Sequence, residues 1–152
     1  MSSGVAVKDE CKDAFMDIKL KKNMKYIIFR LSKDLESVEI EKKAPVDATY
    51  DQLIDDLKAA ETERQCRYAL FDAKYQKAGS VEHRKLFFLL WSPENATVKQ
   101  KMLYASSKDA LKKALGEGMG KEIQATDHSD LQWDNVLEQI SRNDRHWFNM
   151  KN

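Results

Sequence analysis

The chain has 152 residues, 42% apolar and 34% charged, with a net charge of +1. A single domain of this size buries about two-thirds of its unfolded surface, enough for a core that needs no metal or disulfide framework. The near-neutral balance argues for neither a nucleic-acid nor a membrane partner, and the residues from Met1 to Asp9 lack the apolar stretch of a secretory leader, so a cytosolic protein is expected.

In chain order, Asp9–Leu20 predicts a helix, with Cys11, Phe15 and Ile18 at helical spacing. Tyr26–Phe29 begins a buried strand, and the alternating Val38–Glu41 predicts its hairpin partner. Tyr50–Ala59 predicts a second helix, with Leu53, Ile54 and Leu57 on one face. Cys66–Ala73 and Lys85–Trp91 are apolar and β-rich, hence central strands, joined by a turn at Lys77–Glu82 containing Gly79 and Ser80. Ser92 and Pro93 suit the cap and first position of a long helix that runs to Leu115, where Gly116, Gly118 and Gly120 end it. A short strand, Glu122–Ala125, and a last helix, Leu131–Ser141, complete an α/β (α+β) domain with a mostly antiparallel sheet.

Cys11 and Cys66 sit in no CxxC and beside no histidine cluster, so reduced thiols are expected rather than a zinc site or a disulfide. Apolar runs such as Leu86–Trp91 are far short of a membrane span. No P-loop, HExxH or nucleophile triad is readable, and Ser106–Ser107 reads as a small-residue bend in the long helix. The expectation is a binding protein, not an enzyme, with no cofactor and no metal.

On a helical wheel, Ala96, Leu103, Ala110, Leu111 and Ala114 gather on the side expected to face the sheet. Met102, with Val98 and Ala105, forms a second, smaller strip edged by Lys99, Lys101, Lys108, Lys112 and Lys113. Such a strip suits insertion into a partner's apolar cleft, with the lysines meeting acidic rim groups. Lys99 to Lys121 carries six lysines against two acids, a basic run that attracts phosphates or acidic proteins; Asp127 to Asp144 carries five acids against one arginine.

Several segments carry a family resemblance. Trp91-Ser92-Pro93-Glu94, followed by the run from Val98 through Lys101-Met102-Leu103-Tyr104-Ala105-Ser106-Ser107 to Leu111, resembles the long-helix signature of the actin-depolymerising factor/cofilin family. Ser3–Val7 resembles its amino terminus, Cys66–Asp72 its third strand, and Ile123–Asp127 the segment after the long helix. The resemblance implies the ADF-homology fold, a five- or six-stranded mixed sheet with helices on both faces, over residues 1–143, with 144–152 as a carboxy-terminal tail. It also implies binding to actin monomers and filaments, ADP-actin preferred, with filament severing and depolymerisation. A coactosin-like or glia-maturation-factor-like module, or a phosphoinositide-binding module without an actin role, is the alternative.

By the same resemblance, Ser3, Gly4, Val5, Lys99, Lys101 and Met102 form the actin monomer-binding face, with Tyr68 a structural residue near it. Lys85, Glu138 and Arg142 form the filament-binding face, where His83 and Gln139 replace common basic residues. Ser3 matches a phosphorylation site, which implies a kinase and a phosphatase. Lys99, Lys101, Lys112, Lys113 and Lys121 match or lie near a patch for phosphatidylinositol bisphosphate at the membrane surface. The pH sensor of some members is not expected: Lys121 stands where they have a histidine, and a lysine does not titrate near neutrality. Lys19-Leu20-Lys21-Lys22 is shorter than the basic nuclear-entry run of some members, so the expected location is the cytoplasm and actin cytoskeleton, with nuclear entry open. His83 and His128 are expected at the surface, and Trp147 or Phe148 of the tail is expected to pack back on the domain.

Overall fold

The computed structural model describes residues 4–76 and 81–141. Its elements are β1 (Ala6–Val7), α1 (Asp9–Met16), β2 (Tyr26–Leu31), β3 (Ser37–Ala44), α2 (Tyr50–Thr62), β4 (Arg67–Gln76), β5 (Glu82–Trp91), α3 (Val98–Leu115), β6 (Lys121–Ala125) and α4 (Trp133–Ile140). The strands form one six-stranded sheet in the order β1-β3-β2-β4-β5-β6. The three central pairings are antiparallel, and β1 and β6 each join an edge in parallel.

Two cores explain why β4 and β5 read as continuous apolar runs. Phe88 and Leu90 of β5 enter a cluster with Cys11, Phe15 and Ile18 from the α1 side and Leu111 of α3. Phe87, Leu89 and Trp91 point the other way, into a cluster with Leu53 and Leu57 of α2 and Val136 and Ile140 of α4. A strand covered on both faces has no solvent side to mark by alternation.

α2 begins with a capping box: Thr49 Oγ1 accepts from the Gln52 N–H at 3.2 Å, and Gln52 Oε1 accepts from the Thr49 N–H at 2.8 Å. The first predicted helix ends differently from expectation. After Met16 it widens into a π-helical turn, Asp17–Lys21, closed by the left-handed Lys22, whose N–H reaches Asp17 O at 3.0 Å. This turn keeps Ile18 buried and leaves Leu20 exposed. The last predicted helix is divided into a 3-10 turn, His128–Leu131, and α4.

The long helix starts later than the Ser92-Pro93 pair suggests. The Ser92 N–H donates to Ala125 O at 2.9 Å, extending the β5–β6 pairing, and the Ala96 N–H closes a turn on Pro93 O. Thr97 is the cap, its hydroxyl accepting from the Gln100 N–H at 3.2 Å. Of the expected sheet-facing stripe, Leu111 is fully buried, Ala96 is buried before the helix begins, and Leu103, Ala110 and Ala114 lie on the flanks. The stripe is instead Tyr104, Ser107, Leu111 and Leu115. Tyr104 and Ser107 count as polar on a wheel, but here the Tyr104 hydroxyl accepts the Leu31 N–H at 2.9 Å, so its ring enters the core with its oxygen satisfied. Ser106 donates to Leu103 O at 3.2 Å and Ser107 is buried within the same helix.

Candidate functional site

The expected monomer face is assembled around the first two turns of α3. Val98 and Met102 are 72% and 66% exposed, one turn apart, with Ala105 exposed further along. Lys99 is exposed beside them. Lys101 turns its ammonium back to donate to Glu94 O at 2.8 Å, so it also ties the loop before the helix. Behind this strip, the buried Tyr68 hydroxyl donates to Tyr104 O, and the two rings lie 5.0 Å apart. Burial pushes the Tyr68 phenol well above its ordinary range, so it stays a donor at any physiological pH.

The amino terminus joins this surface through β1, an element the sequence did not signal. The Ala6 N–H donates to Glu36 O at 3.0 Å and the Lys8 N–H to Val38 O at 3.1 Å. Val5 is buried in the core cluster that contains Tyr104, and β1 packs against α3. Gly4 follows the chain outward with a φ of +79°, a conformation that other residues adopt only with strain. Gly4, Val5, Lys99, Lys101 and Met102 are therefore brought to one side of the molecule; Ser3 lies outside the described residues.

The expected filament face is built from β5 and α4. Lys85 Nζ donates to Ile140 O at 3.3 Å, placing a cation at the carboxy-terminal end of α4. Glu138 is exposed on α4 and Gln139 is half-buried. His83 is not a free surface residue: its ring stacks on Tyr75 at 5.3 Å, and its Nε2 has no hydrogen-bond partner among the described residues. His128 is exposed and pairs with Glu61 at 2.5 Å. Arg142, Gly79 and Ser80, and the tail with Trp147 and Phe148, lie outside the described residues.

Sequence reasoning missed Arg84, which pairs with the buried Asp72 on the opposite face of β5 from Lys85. Arg84, Lys85, Lys19, Lys22 and Lys121 line an open cleft of about 550 Å³ beside Gln139. Only strand pairing reveals this convergence. Its rim is set by Gly120, where a Cβ would stand 1.9 Å from Leu86 O.

The five lysines expected to bind phosphoinositide do not form one patch. Lys99 and Lys101 lie at the start of α3, and Lys112 and Lys113 at its end, roughly 20 Å away along the axis at 1.5 Å per residue. Lys112 Nζ is 2.6 Å from Glu122 Oε2, while Lys113 and Lys121 are exposed and make no ion pair among the described residues. Two acids of the 127–144 run are also structural: Asp127 and Asp130 form the capping box of the 3-10 turn.

The family model described as "Cofilin/tropomyosin-type actin-binding protein" matches residues 4–141. The chain belongs to the cofilin/actin-depolymerising factor family. It is 43% identical over 142 residues to the cofilin of Mycosarcoma maydis, covering 93% of this chain and 98% of that one. It is 44% identical over 133 residues to actin-depolymerizing factor 7 of Arabidopsis thaliana, covering 88% and 92%. The crystal structure of Streptomyces griseoflavus cofilin superposes with a TM-score of 0.80 at 42% identity, covering 91% of this chain and 98% of that one. These relatives favour the cofilin branch over the coactosin-like or glia-maturation-factor-like alternative, and the family is one of binding proteins rather than enzymes. Among the described residues, no helix is long and apolar enough to cross a membrane, and no group of three or more His, Cys, Asp or Glu side chains is placed to hold a metal ion.

Proposed function

We infer that this protein binds actin monomers and filaments and promotes filament disassembly by severing and depolymerisation, with ADP-actin preferred. One observation carries the reading. In a chain of the cofilin family, Val98 and Met102 stand exposed on the first turns of α3, flanked by Lys99 and beside the pinned amino terminus. An apolar helix strip with a cationic rim fits an apolar cleft bordered by acidic groups. Gly4, Val5, Lys99, Lys101 and Met102, with Ser3, contact the monomer. Lys85, Glu138 and Arg142 contact the neighbouring filament subunit. Residues 144–152 are a tail to the 1–143 domain. The place of action is the actin cytoskeleton.

Two forms of regulation belong to this reading. Phosphorylation of Ser3 by a kinase would set about two negative charges against the acidic partner, and a phosphatase would restore binding. Phosphatidylinositol bisphosphate would compete with actin through Lys99, Lys101, Lys112, Lys113 and Lys121, with polybasic attraction of about 1 kcal/mol per lysine at an anionic surface.

The test is co-sedimentation with ADP-actin filaments combined with fluorescence microscopy of single filaments. The protein should pellet with filaments and shorten them. If it neither pellets nor changes filament length, and leaves the monomer concentration unaltered, the reading is wrong. Ser3→Asp should weaken monomer binding while Ser3→Ala does not.

A further inference from the structure

Glu122 of β6 lies under the end of α3, facing two lysines one turn apart. Its Oε1 is 2.6 Å from Lys108 Nζ and its Oε2 is 2.6 Å from Lys112 Nζ. The Lys108 side chain is 19% exposed and Glu122 28%, so these pairs are partly shielded from water. Burial alone would raise the Glu122 carboxyl, but the two ammonium groups overcome it and hold the carboxyl below its ordinary range. Both carboxylate oxygens are thus committed to Lys108 and Lys112, whereas the adjacent Lys113 and Lys121 make no ion pair among the described residues.

We propose that Glu122 sets the phosphate affinity of this flank by holding Lys108 and Lys112 in internal ion pairs, so that an anionic lipid headgroup is met by Lys113 and Lys121. The inference rests on the phosphoinositide reading given above, and it reassigns Lys112 from ligand-binding residue to restrained reserve. Two effects act together. A carboxylate among the lysines repels an approaching phosphate, and each ammonium must break a short charge-assisted bond before it can turn outward. Neutralising Glu122 therefore does more than add one unit to the net charge, because it also releases two cations onto a face that already carries two.

The experiment compares Glu122→Gln with Glu117→Gln, an exposed residue whose neutralisation makes the same change in net charge. Each is measured against phosphatidylcholine vesicles with and without phosphatidylinositol 4,5-bisphosphate, against soluble inositol trisphosphate, and by the salt needed for elution from heparin. One released lysine near an anionic surface corresponds to about fivefold in affinity. Glu122→Gln should therefore bind the lipid at least about fivefold more tightly than the parent, and Glu117→Gln less than about twofold. Adding Lys108→Met and Lys112→Met to Glu122→Gln should remove the gain, whereas those two substitutions in the parent leave the Glu122 carboxylate unpaired and should weaken lipid binding.

If parent, Glu117→Gln and Glu122→Gln bind the vesicles equally, the role of Glu122 is overturned and the phosphoinositide reading stands. If only Glu122→Gln binds, the restraint is supported and the reading of the native flank fails. If none binds, heparin decides: later elution of Glu122→Gln than of Glu117→Gln supports the restraint, and co-elution overturns it. Tighter binding to soluble inositol trisphosphate as well as to vesicles would mark a phosphate site that needs no membrane; a gain on vesicles alone would assign it to the lipid surface, and either gain supports the restraint. Thermal melting of each variant separates loss of fold from loss of ligand.

Discussion

On the proposed monomer face, Val98, Lys99, Lys101 and Met102 leave a single helix within two turns, and β1 holds the amino terminus beside them. On the proposed filament face, His83 and Lys85 come from β5 while Glu138 and Gln139 come from α4, and the Lys85–Ile140 contact joins residues 55 positions apart. The first surface keeps its geometry as long as one helix is formed and seated. The second keeps its geometry only while strand and helix remain docked. Lys85 contributes to that docking, since a cation at a helix carboxy terminus is favourable by about 0.3–1 kcal/mol. In the proposed reading its ammonium is therefore both a strut and a contact, whereas Lys99 serves as a contact alone.

The largest expected effect separates the two faces directly. Lys99→Ala with Lys101→Ala should weaken binding to labelled ADP-actin monomers by more than about tenfold, the range of an interface hot spot. The melting temperature should fall by no more than a few degrees, the cost of losing the Lys101 bond to Glu94 O. Unchanged monomer affinity would mean that the start of α3 is not the contact.

A second substitution probes the support behind that helix. Tyr68→Phe removes the buried donor to Tyr104 O and should cost about 1–3 kcal/mol in urea unfolding. Monomer affinity should stay within about twofold, because Tyr68 is fully buried beneath α3. A tenfold affinity loss at unaltered stability would make Tyr68 a contact residue after all.

The filament face should respond in the opposite direction and more weakly. His83→Arg adds a cation near the rim at the expense of the stacking on Tyr75, and an exposed pair contributes about 0.2–1 kcal/mol, so filament affinity should rise by no more than about fivefold at low salt with monomer affinity unchanged. Gln139→Arg should add little, since Gln139 shares its cleft with Lys85 and Lys121 and the new charge meets like charges there. Filament pelleting across a salt series reads both effects; a larger gain from Gln139→Arg than from His83→Arg would reverse this division.

The smallest effect is on acid stability. Glu122 is held below its ordinary value of 4.5 in the folded chain, after the opposing effect of burial, by Lys108 and Lys112. A depressed folded value means that its contribution is fully present above about pH 4.5 and is lost as pH falls through the lower folded value. Glu122→Gln should flatten the decline of melting temperature below pH 4.5 relative to the parent, by a degree or two. Parallel declines in parent and variant would show that the ion pairs contribute no folding energy.

Legibility along the chain follows from which interactions are local. The Val98–Met102 strip could be read from spacing because an exposed helix surface is decided by the helix's own period. Leu53 and Leu57 were legible as the buried face of α2 for the same reason. The start of α3 was misread because Ser92 and Pro93 open only a single turn, closed by the Ala96 N–H on Pro93 O, and Thr97 caps the helix. Tyr104 and Ser107 were missed on the buried stripe because their polar atoms count against burial until a partner such as the Leu31 N–H is known. β1 is two residues long and has no pattern of its own; it exists because β3 offers it an edge.

By itself the sequence determined the family, the alternation of strands and helices, and the cationic apolar strip at the start of α3, since each depends on residues close together in the chain. Tertiary structure decided the rest. It set His83 against Tyr75, seated Lys85 on the end of α4, and drew Arg84, Lys19 and Lys121 to one cleft. It also placed Glu122 between Lys108 and Lys112, so that cations counted alike along the chain are not alike on the surface. The physical reason is that a charge's availability depends on the nearest opposite charge in space, and across a sheet that neighbour is set by strand register rather than by chain order.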